Sequence, residues 1–296
     1  MQRIEDVAAM RQWSREQRAA GARIVFVPTL GGLHEGHAAL LDAARANAGP
    51  NGKVVASIFL NPTQFDNPED LSSYPAVQAD DELLCAEHGV DAVFTPTTEQ
   101  IYINGHATFV EVVGSLADHL CAIARPGHFR GVTTVVTKLF NIVDPDAAVF
   151  GQKDLQQTLI VNRLIADLSY AIELITVPTV RDVHGIALSS RNRRLSADGM
   201  LAAGHIPQAL NEVQQAFQDG ERNVGQLMAL FAEKLLVFPG VEVDYTEVLP
   251  LGEFKELEFA DESSALFIAV FIDNIRLIDH IHLAGGPITI EEPVSV

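Results

Sequence analysis

A doubly wound α/β fold followed by a second, smaller α+β domain is the architecture this sequence predicts, and two patterns predict it. Up to about Val180, short apolar β-branched runs alternate with longer helical ones. Alternation of this kind builds a sheet that is parallel at least in its core, with helices packed against it. After Arg194 the order changes to two helical stretches and then three alternating strands. At 296 residues the chain is long enough for one large or two ordinary cores.

The first part supplies candidate strands at Ile24–Val27, Val54–Phe59, Ala92–Phe94, Phe109–Val113, Ala147–Phe150 and Leu174–Val177. Helical runs follow or separate them at Ala38–Ala46, Asp80–His88, Val132–Val143 and Leu155–Leu168. In open sheets of this class ligands bind at the carboxyl ends of the strands. His34, Gln64 and Lys153 all fall just after candidate strands. Residues 1–180 therefore read as a Rossmann-like domain, joined through Val180–Gly185 to a smaller domain at 181–296. The second domain carries helical stretches near Ala197–Phe217 and Val224–Leu236 and strands at Val241–Leu249, Leu266–Ile272 and Ile275–Ile281. Only Asp273-Asn274 separates the last two strands, which suits an antiparallel hairpin. No internal repeat or low-complexity tract interrupts the chain.

Composition excludes several classes. With 48% apolar and 20% charged residues the chain is globular in type, and no run approaches the ~18 apolar residues of a membrane span. Met1–Asp6 lacks the apolar centre of a secretory signal. Cys85 and Cys121 lie far apart in no metal or redox spacing, so a reducing cytoplasm is the expected location. A net charge of −19 argues against nonspecific nucleic-acid binding. An anionic ligand would need a local positive site, and Arg181, Arg191, Arg193 and Arg194 cluster in one short stretch.

Pro28–His37 reads PTLGGLHEGH, a strand end, a glycine-bearing turn and the start of a helix. Backbone N–H groups and the helix dipole favour anions there, and glycines let the backbone approach phosphate oxygens. His34 and His37, three apart on one helix face, can both reach one ligand. Zinc-binding helices space their histidines by four, so this HxGH pattern points to nucleotidyl transfer; an isolated surface pair is the plain alternative.

Three further stretches carry chemistry. Asn61–Phe65 (NPTQF) places Gln64, donor and acceptor, after the second strong strand; by itself it reads equally as a polar Asn-Pro turn. In Gly151–Gln157 (GQKDLQQ), Lys153 can neutralise phosphate, Asp154 can cap a helix, and Gln157 lies one turn on. Leu188–Asn192 (LSSRN) offers two hydroxyls and a guanidinium able to clamp phosphate oxygens as charge develops on a leaving pyrophosphate. Its alternative is a polar loop capping the helix after Ser196. Asp80-Asp81 reads as the acidic first turn of a helix, and Asp81 is also open as a ligand for Mg²⁺ or a ribose.

Taken in order, PTLGGLHEGH, NPTQF, RPGHFRGV (Arg125–Val132), FGQKDLQQ (Phe150–Gln157) and LSSRN resemble the pantoate–β-alanine ligases of the HIGH-type nucleotidyltransferase superfamily. The resemblance covers most of the first two-thirds of the chain. It implies ATP-dependent joining of pantoate and β-alanine through a pantoyl adenylate, giving pantothenate, a coenzyme A precursor, with AMP and pyrophosphate. It further implies an ATP loop at Leu30, Gly31, Gly32, Leu33, His34, Glu35, Gly36 and His37. His37 would assist departure of pyrophosphate, with His34 beside it and Lys153 on the phosphates. Gly151, Gln152, Lys153 and Asp154 would contact the nucleotide, Val180 the adenine, and Leu188, Ser189, Ser190 and Arg191 the triphosphate. Gln64 and Gln157 would hold pantoate. Mg²⁺ with ATP and a homodimer complete the implied set, with no nucleic acid and no membrane.

Six positions depart from the family pattern: Leu30 for methionine, Ala76 for arginine, Cys121 and Ala122 within Leu120-Cys121-Ala122 for the last two residues of Leu-Glu-Gly, Gln152 for glutamate, and His184 for aspartate. None removes a residue assigned to phosphate or pantoate. Two rivals stand beside the ligase reading. One is a nucleotidyltransferase acting on a phosphate, which the neutral amides of Gln64 and Gln157 disfavour. The other is a noncatalytic nucleotide-binding protein, disfavoured by His37, Lys153, Ser189, Ser190 and Arg191 occurring together.

Overall fold

The structure, a computed structural model, describes residues 1–74, 77–235, 238 and 240–290. Ala76 and Leu236, both part of the sequence reading, lie outside the described residues. In chain order the elements are β1 (Gln2–Ile4), α1 (Val7–Ala19), β2 (Ile24–Thr29), α2 (Glu35–Ala48), β3 (Lys53–Ile58), α3 (Pro68–Ser72), α4 (Gln78–Glu87), β4 (Ala92–Phe94) and α5 (Thr98–Ile101). There follow α6 (Cys121–Ala124), α7 (His128–Val143), β5 (Ala147–Gly151), α8 (Leu155–Asp167) and β6 (Glu173–Val177). The last third holds α9 (Ala197–Ala203), α10 (His205–Gln218), α11 (Val224–Leu235), β7 (Val241–Pro250), β8 (Ser264–Ile272) and β9 (Ile275–His282). The chain forms two compact units. One comprises Met1–Val112, Arg125–Gln152 and Gln157–Val177; the other comprises Val113–Ala124, Lys153–Gln156 and Pro178–Val296.

The first unit is built on a six-stranded sheet in the order β1-β4-β3-β2-β5-β6, parallel throughout. Its central strand explains the unbroken apolar run Ile24–Val27. Val25 and Val27 face a cluster with Leu41 and Ala44 of α2 and Cys85 of α4. Phe26 on the opposite face meets Phe140 of α7 edge-on, ring centroids 6.4 Å apart. Strands covered on both faces have no polar side to show. The chain leaves β2 toward β3 and β4, and leaves β5 toward β6 on the other side. That divergence opens a crevice at the carboxyl ends of β2 and β5.

Two expectations fail in instructive ways. Phe109–Val113 is no strand. The Val110 N–H donates to Thr134 Oγ1 at 3.0 Å and its carbonyl accepts from Thr133 Oγ1 at 2.6 Å, so threonines of α7 take the groups a ladder would use. The single helix expected at Ala197–Phe217 is two, α9 and α10, meeting at Gly204. Pro207 in the first turn of α10 accounts for the break, because its ring cannot accept an uninterrupted helix through the preceding turn.

The second unit packs α10 and α11 on an antiparallel sheet, β7-β8-β9, whose last two strands form the expected Asp273-Asn274 hairpin. Leu210, Val213, Phe217, Leu227 and Phe231 from the helices bury against Leu266, Ile268 and Val270. No helix among the described residues is long and apolar enough to cross a membrane.

Candidate active site

In the first unit the glycine turn after β2 is braced from below. Gly31 and Gly32 have φ of +90° and +67°, a region that strains any side chain. Asp81 of α4, 3% exposed, accepts the Gly32 N–H at 2.8 Å and the Leu33 N–H at 2.6 Å. Leu33 itself is buried in the core. Both Asp81 oxygens thus hold the loop, and among the described residues no cluster of three His, Cys, Asp or Glu suits a metal ion. The geometry makes Asp81 a brace for the loop.

His34 and His37 come together through a helix cap. The sequence suggests two histidines on one helix face; instead His34 is the extended N-cap of α2, which starts at Glu35. Its Nδ1 accepts the Gly36 N–H at 3.1 Å, while the His34 N–H donates to His37 Nδ1 at 3.3 Å. The ring centroids stand 4.2 Å apart. With Nδ1 accepting in both rings, the proton of each neutral imidazole resides on Nε2. Two Nε2–H donors therefore sit at the positive end of a 14-residue helix. Leu30 and Gly36 are partly buried beside them, and Glu35 is exposed.

Gln64 ends a short 3₁₀ turn, Pro62–Gln64, and is 7% exposed. Its Oε1 accepts from Asn61 Nδ2 at 2.9 Å. Asn61 is oriented in turn: its Oδ1 accepts from Tyr102 at 2.7 Å and from Thr63 Oγ1 at 2.9 Å. Its Nδ2 also reaches the Gly131 carbonyl at 3.2 Å. With its Oε1 engaged in this way, Gln64 has its Nε2 hydrogens to offer, which suits an oxygen-rich substrate. Burial raises the Tyr102 pKa, which keeps its hydroxyl a donor. Gly131 of α7 allows the close approach: a Cβ there would fall 2.7 Å from the Gln64 Cα. His128 and Arg125, from RPGHFRGV, contact the Gln64 carbonyl at 2.7 and 3.4 Å.

Gly151 closes β5, and Gln152 is buried with Nε2 3.2 Å from Thr176 Oγ1. A neutral amide at this departure from the family pattern makes a satisfied internal bond. Gln157 is partly exposed, whereas its neighbour Gln156 is buried and committed to backbone: Oε1 accepts the Cys121 N–H, and Nε2 donates to the Leu116 and His119 carbonyls.

In the second unit Lys153 lies 3.4 Å from Asp154 Oδ1 and lines a cleft with Ser189, Asn192, Arg276 and Asp279. Val180 and Leu188 face each other across a hairpin, the Leu188 N–H donating to the Val180 carbonyl at 2.9 Å. Ser189 caps the 3₁₀ turn Ser190–Arg194, its Oγ accepting the Arg191 N–H at 3.2 Å. Ser190 is buried. Cys121, another departure, is buried with its Sγ 3.4 Å from both the Tyr245 hydroxyl and Arg276 Nη1. His184 is exposed at the hairpin turn.

Sequence reasoning misses Tyr102, Gly131 and the bracing role of Asp81. Tyr102 stands about forty residues from Asn61 with no local motif of its own. Gly131 is visible inside RPGHFRGV, but its need for a bare Cα appears only once Thr63 and Gln64 are placed against it.

A family model described as pantoate-beta-alanine ligase matches residues 2–282. A pantothenate synthetase of Moorella thermoacetica is 44% identical over 283 residues, covering 96% of this chain and 99% of that protein. The crystal structure of pantothenate synthetase from Thermus thermophilus superposes with a TM-score of 0.89 at 37% identity, covering 96% of this chain and 100% of that one. A pantoate-beta-alanine ligase from Francisella tularensis, solved with beta-gamma ATP and beta-alanine, superposes with a TM-score of 0.80 at 30% identity over 97% of this chain and 99% of that one. The family model spans nearly the whole chain and the similarity to these relatives is near full-length, so the chain belongs to the pantoate-beta-alanine ligase family.

Proposed function

We propose that the chain condenses (R)-pantoate with β-alanine, using ATP, through a pantoyl adenylate. The observation that carries this reading is the mutual cap of His34 and His37, which sets two Nε2–H donors at the start of α2. A pantoate carboxylate oxygen attacks the α-phosphorus of ATP; the bond from that phosphorus to the bridging oxygen breaks, and pyrophosphate leaves. His37 donates to the departing oxygen, and His34 to the neighbouring phosphate oxygens. Leu30, Gly31, Gly32, Leu33, Glu35 and Gly36 shape the loop around the nucleotide. Gly151, Gln152, Lys153 and Asp154 contact the nucleotide as well, Lys153 as a compact charge on the phosphates. Val180 meets the adenine through its backbone. Leu188, Ser189, Ser190 and Arg191 hold the triphosphate.

Gln64 and Gln157 hold pantoate, Gln64 through its Nε2 hydrogens, its Oε1 being engaged by Asn61. The amine nitrogen of β-alanine then attacks the acyl carbon, the bond to AMP breaks, and the amine releases a proton. No covalent enzyme intermediate is needed, so catalysis rests on positioning and charge stabilisation. Mg²⁺ would be required with ATP, held largely by the phosphate oxygens. Asp81, with each oxygen accepting a loop amide, acts mainly as the brace of the ATP loop in this reading. A homodimer fits the exposed Ile103 and Phe109, with two-fold symmetry the commonest arrangement, and two free, buried cysteines fit a cytoplasmic enzyme.

The test is exchange of labelled pyrophosphate into ATP with pantoate present and β-alanine absent. Pantoate-dependent exchange supports an adenylate formed before the amine arrives. Exchange indifferent to pantoate would refute the reading and favour another nucleotidyltransferase.

A further inference from the structure

The hairpin that carries Val180 on one arm and Leu188 on the other is closed by Arg181 bridging Ala187. Its tip is held locally: Asp182 Oδ1 accepts the His184 and Ile186 N–H groups, both at 2.9 Å. Its link to the sheet is ionic. Arg181 forks onto Asp279 of β9, Nη1 to Oδ2 at 2.6 Å and Nη2 to Oδ1 at 2.9 Å, while Nη1 also donates to the Gly185 carbonyl at 3.0 Å. The Asp279 side chain is only 4% exposed. This carboxylate lines the same cleft as Lys153 and Ser189.

A buried carboxylate beside a triphosphate site is an obstacle unless its charge is matched. Arg276 lines the cleft too, but its Nε and Nη2 lie 2.9 and 2.8 Å from Asp244. Lys153 faces Asp154. The neighbouring His280, its pKa lowered to about 4 mainly by burial, brings no positive charge near neutral pH. Arg181 is thus the matching charge, and the fork that supplies it also fixes the hairpin leading into Leu188–Arg191.

We propose that Arg181 and Asp279 are a positioning pair for nucleoside triphosphate binding, with Arg181 masking the Asp279 carboxylate and the fork setting the Val180–Leu188 hairpin against β9. The inference rests on the assignment of the triphosphate to Lys153 and Ser189. It makes an asymmetric demand. Removing Arg181 leaves an unmatched negative charge facing an anionic ligand, whereas Asp279→Asn keeps the shape and removes that charge.

The experiment is calorimetric binding of a non-hydrolysable ATP analogue to the wild type, Arg181→Met, Asp279→Asn, the double variant and Lys153→Ala, with Michaelis constants for all three substrates. Arg181→Met should weaken analogue binding by at least about tenfold, Asp279→Asn by less, and the double variant should bind more tightly than Arg181→Met alone. KM for pantoate and β-alanine should stay unchanged. Equal loss in Arg181→Met and the double variant, or a common rise in all three KM values, would overturn the pairing and leave a purely structural ion pair. If Arg181→Met does not fold, Asp279→Asn decides: unaltered analogue affinity and ATP KM overturn the proposal, and a selective rise in ATP KM supports it. Undiminished binding by Lys153→Ala would instead mean that the triphosphate assignment itself is wrong, and the pair falls with it.

Discussion

Replacing Asp81 with asparagine tests whether the glycine loop is held from beneath. The carboxylate, 3% exposed, accepts two backbone N–H groups at 2.8 and 2.6 Å. Asparagine keeps the shape but turns one acceptor into a donor that faces an N–H. One charge-assisted hydrogen bond, about 1.5–3 kcal/mol, is lost, and one buried N–H is left unmet at about 1–3 kcal/mol. These two losses overlap, so we expect about 2–4 kcal/mol and a fall in melting temperature of roughly 5–15 °C. The loop that should receive ATP loses its register as well, so ATP KM should rise by about tenfold while β-alanine KM holds. The assay is thermal melting alongside steady-state kinetics, with Asp80→Asn as control. Asp80 is exposed on the same helical turn. Equal small effects in the two variants would reduce both to helix-dipole contributions and refute the brace.

Three other outcomes follow from the same geometry. His37→Ala should fold but lower the adenylation rate by ~10²-fold or more in a pyrophosphate-exchange assay; near wild-type exchange would remove His37 from the chemistry. Gly131→Ala should drive α7 from the Pro62–Gln64 turn, costing about 1–3 kcal/mol and raising pantoate KM, measured by urea unfolding and kinetics. His280, whose pKa falls from 6.5 to about 4 on burial, is held neutral in the folded state. Its contribution is present above pH 6.5 and lost as pH falls toward 4. Between neutral pH and about pH 4 the wild type should therefore lose up to about 3 kcal/mol more than His280→Gln; parallel stability profiles would exclude His280 as a source of acid sensitivity.

The parts of this fold visible in the sequence are those with a strong local pattern. Ile24–Val27 and Ala147–Phe150 are apolar throughout because helices cover both faces of the sheet, and Asp273-Asn274 fits only a tight turn. β1 is too short to show a period. α1 is announced by Asp6, whose carboxylate accepts the Ala9 N–H at 2.9 Å, but its apolar face is narrow, with only Met10 and Trp13 as large buried side chains. Phe109–Val113 has the composition of a strand, and only the distant Thr133 and Thr134 reveal that its backbone is used otherwise. The site divides in the same way. His34, His37, Gln64 and Lys153 sit in contiguous motifs. The groups that orient or brace such residues, Asp81, Tyr102 and Asp279, come from far along the chain, where no spacing links them to what they hold.

The proposed reaction joins pantoate to β-alanine by way of an adenylate. Its most direct test is product analysis with ATP and Mg²⁺, omitting D-pantoate or β-alanine in turn. Pantothenate, AMP and pyrophosphate should form in equal amounts, with sustained turnover only when both acids are present. AMP or pyrophosphate released at the same rate without pantoate would contradict it.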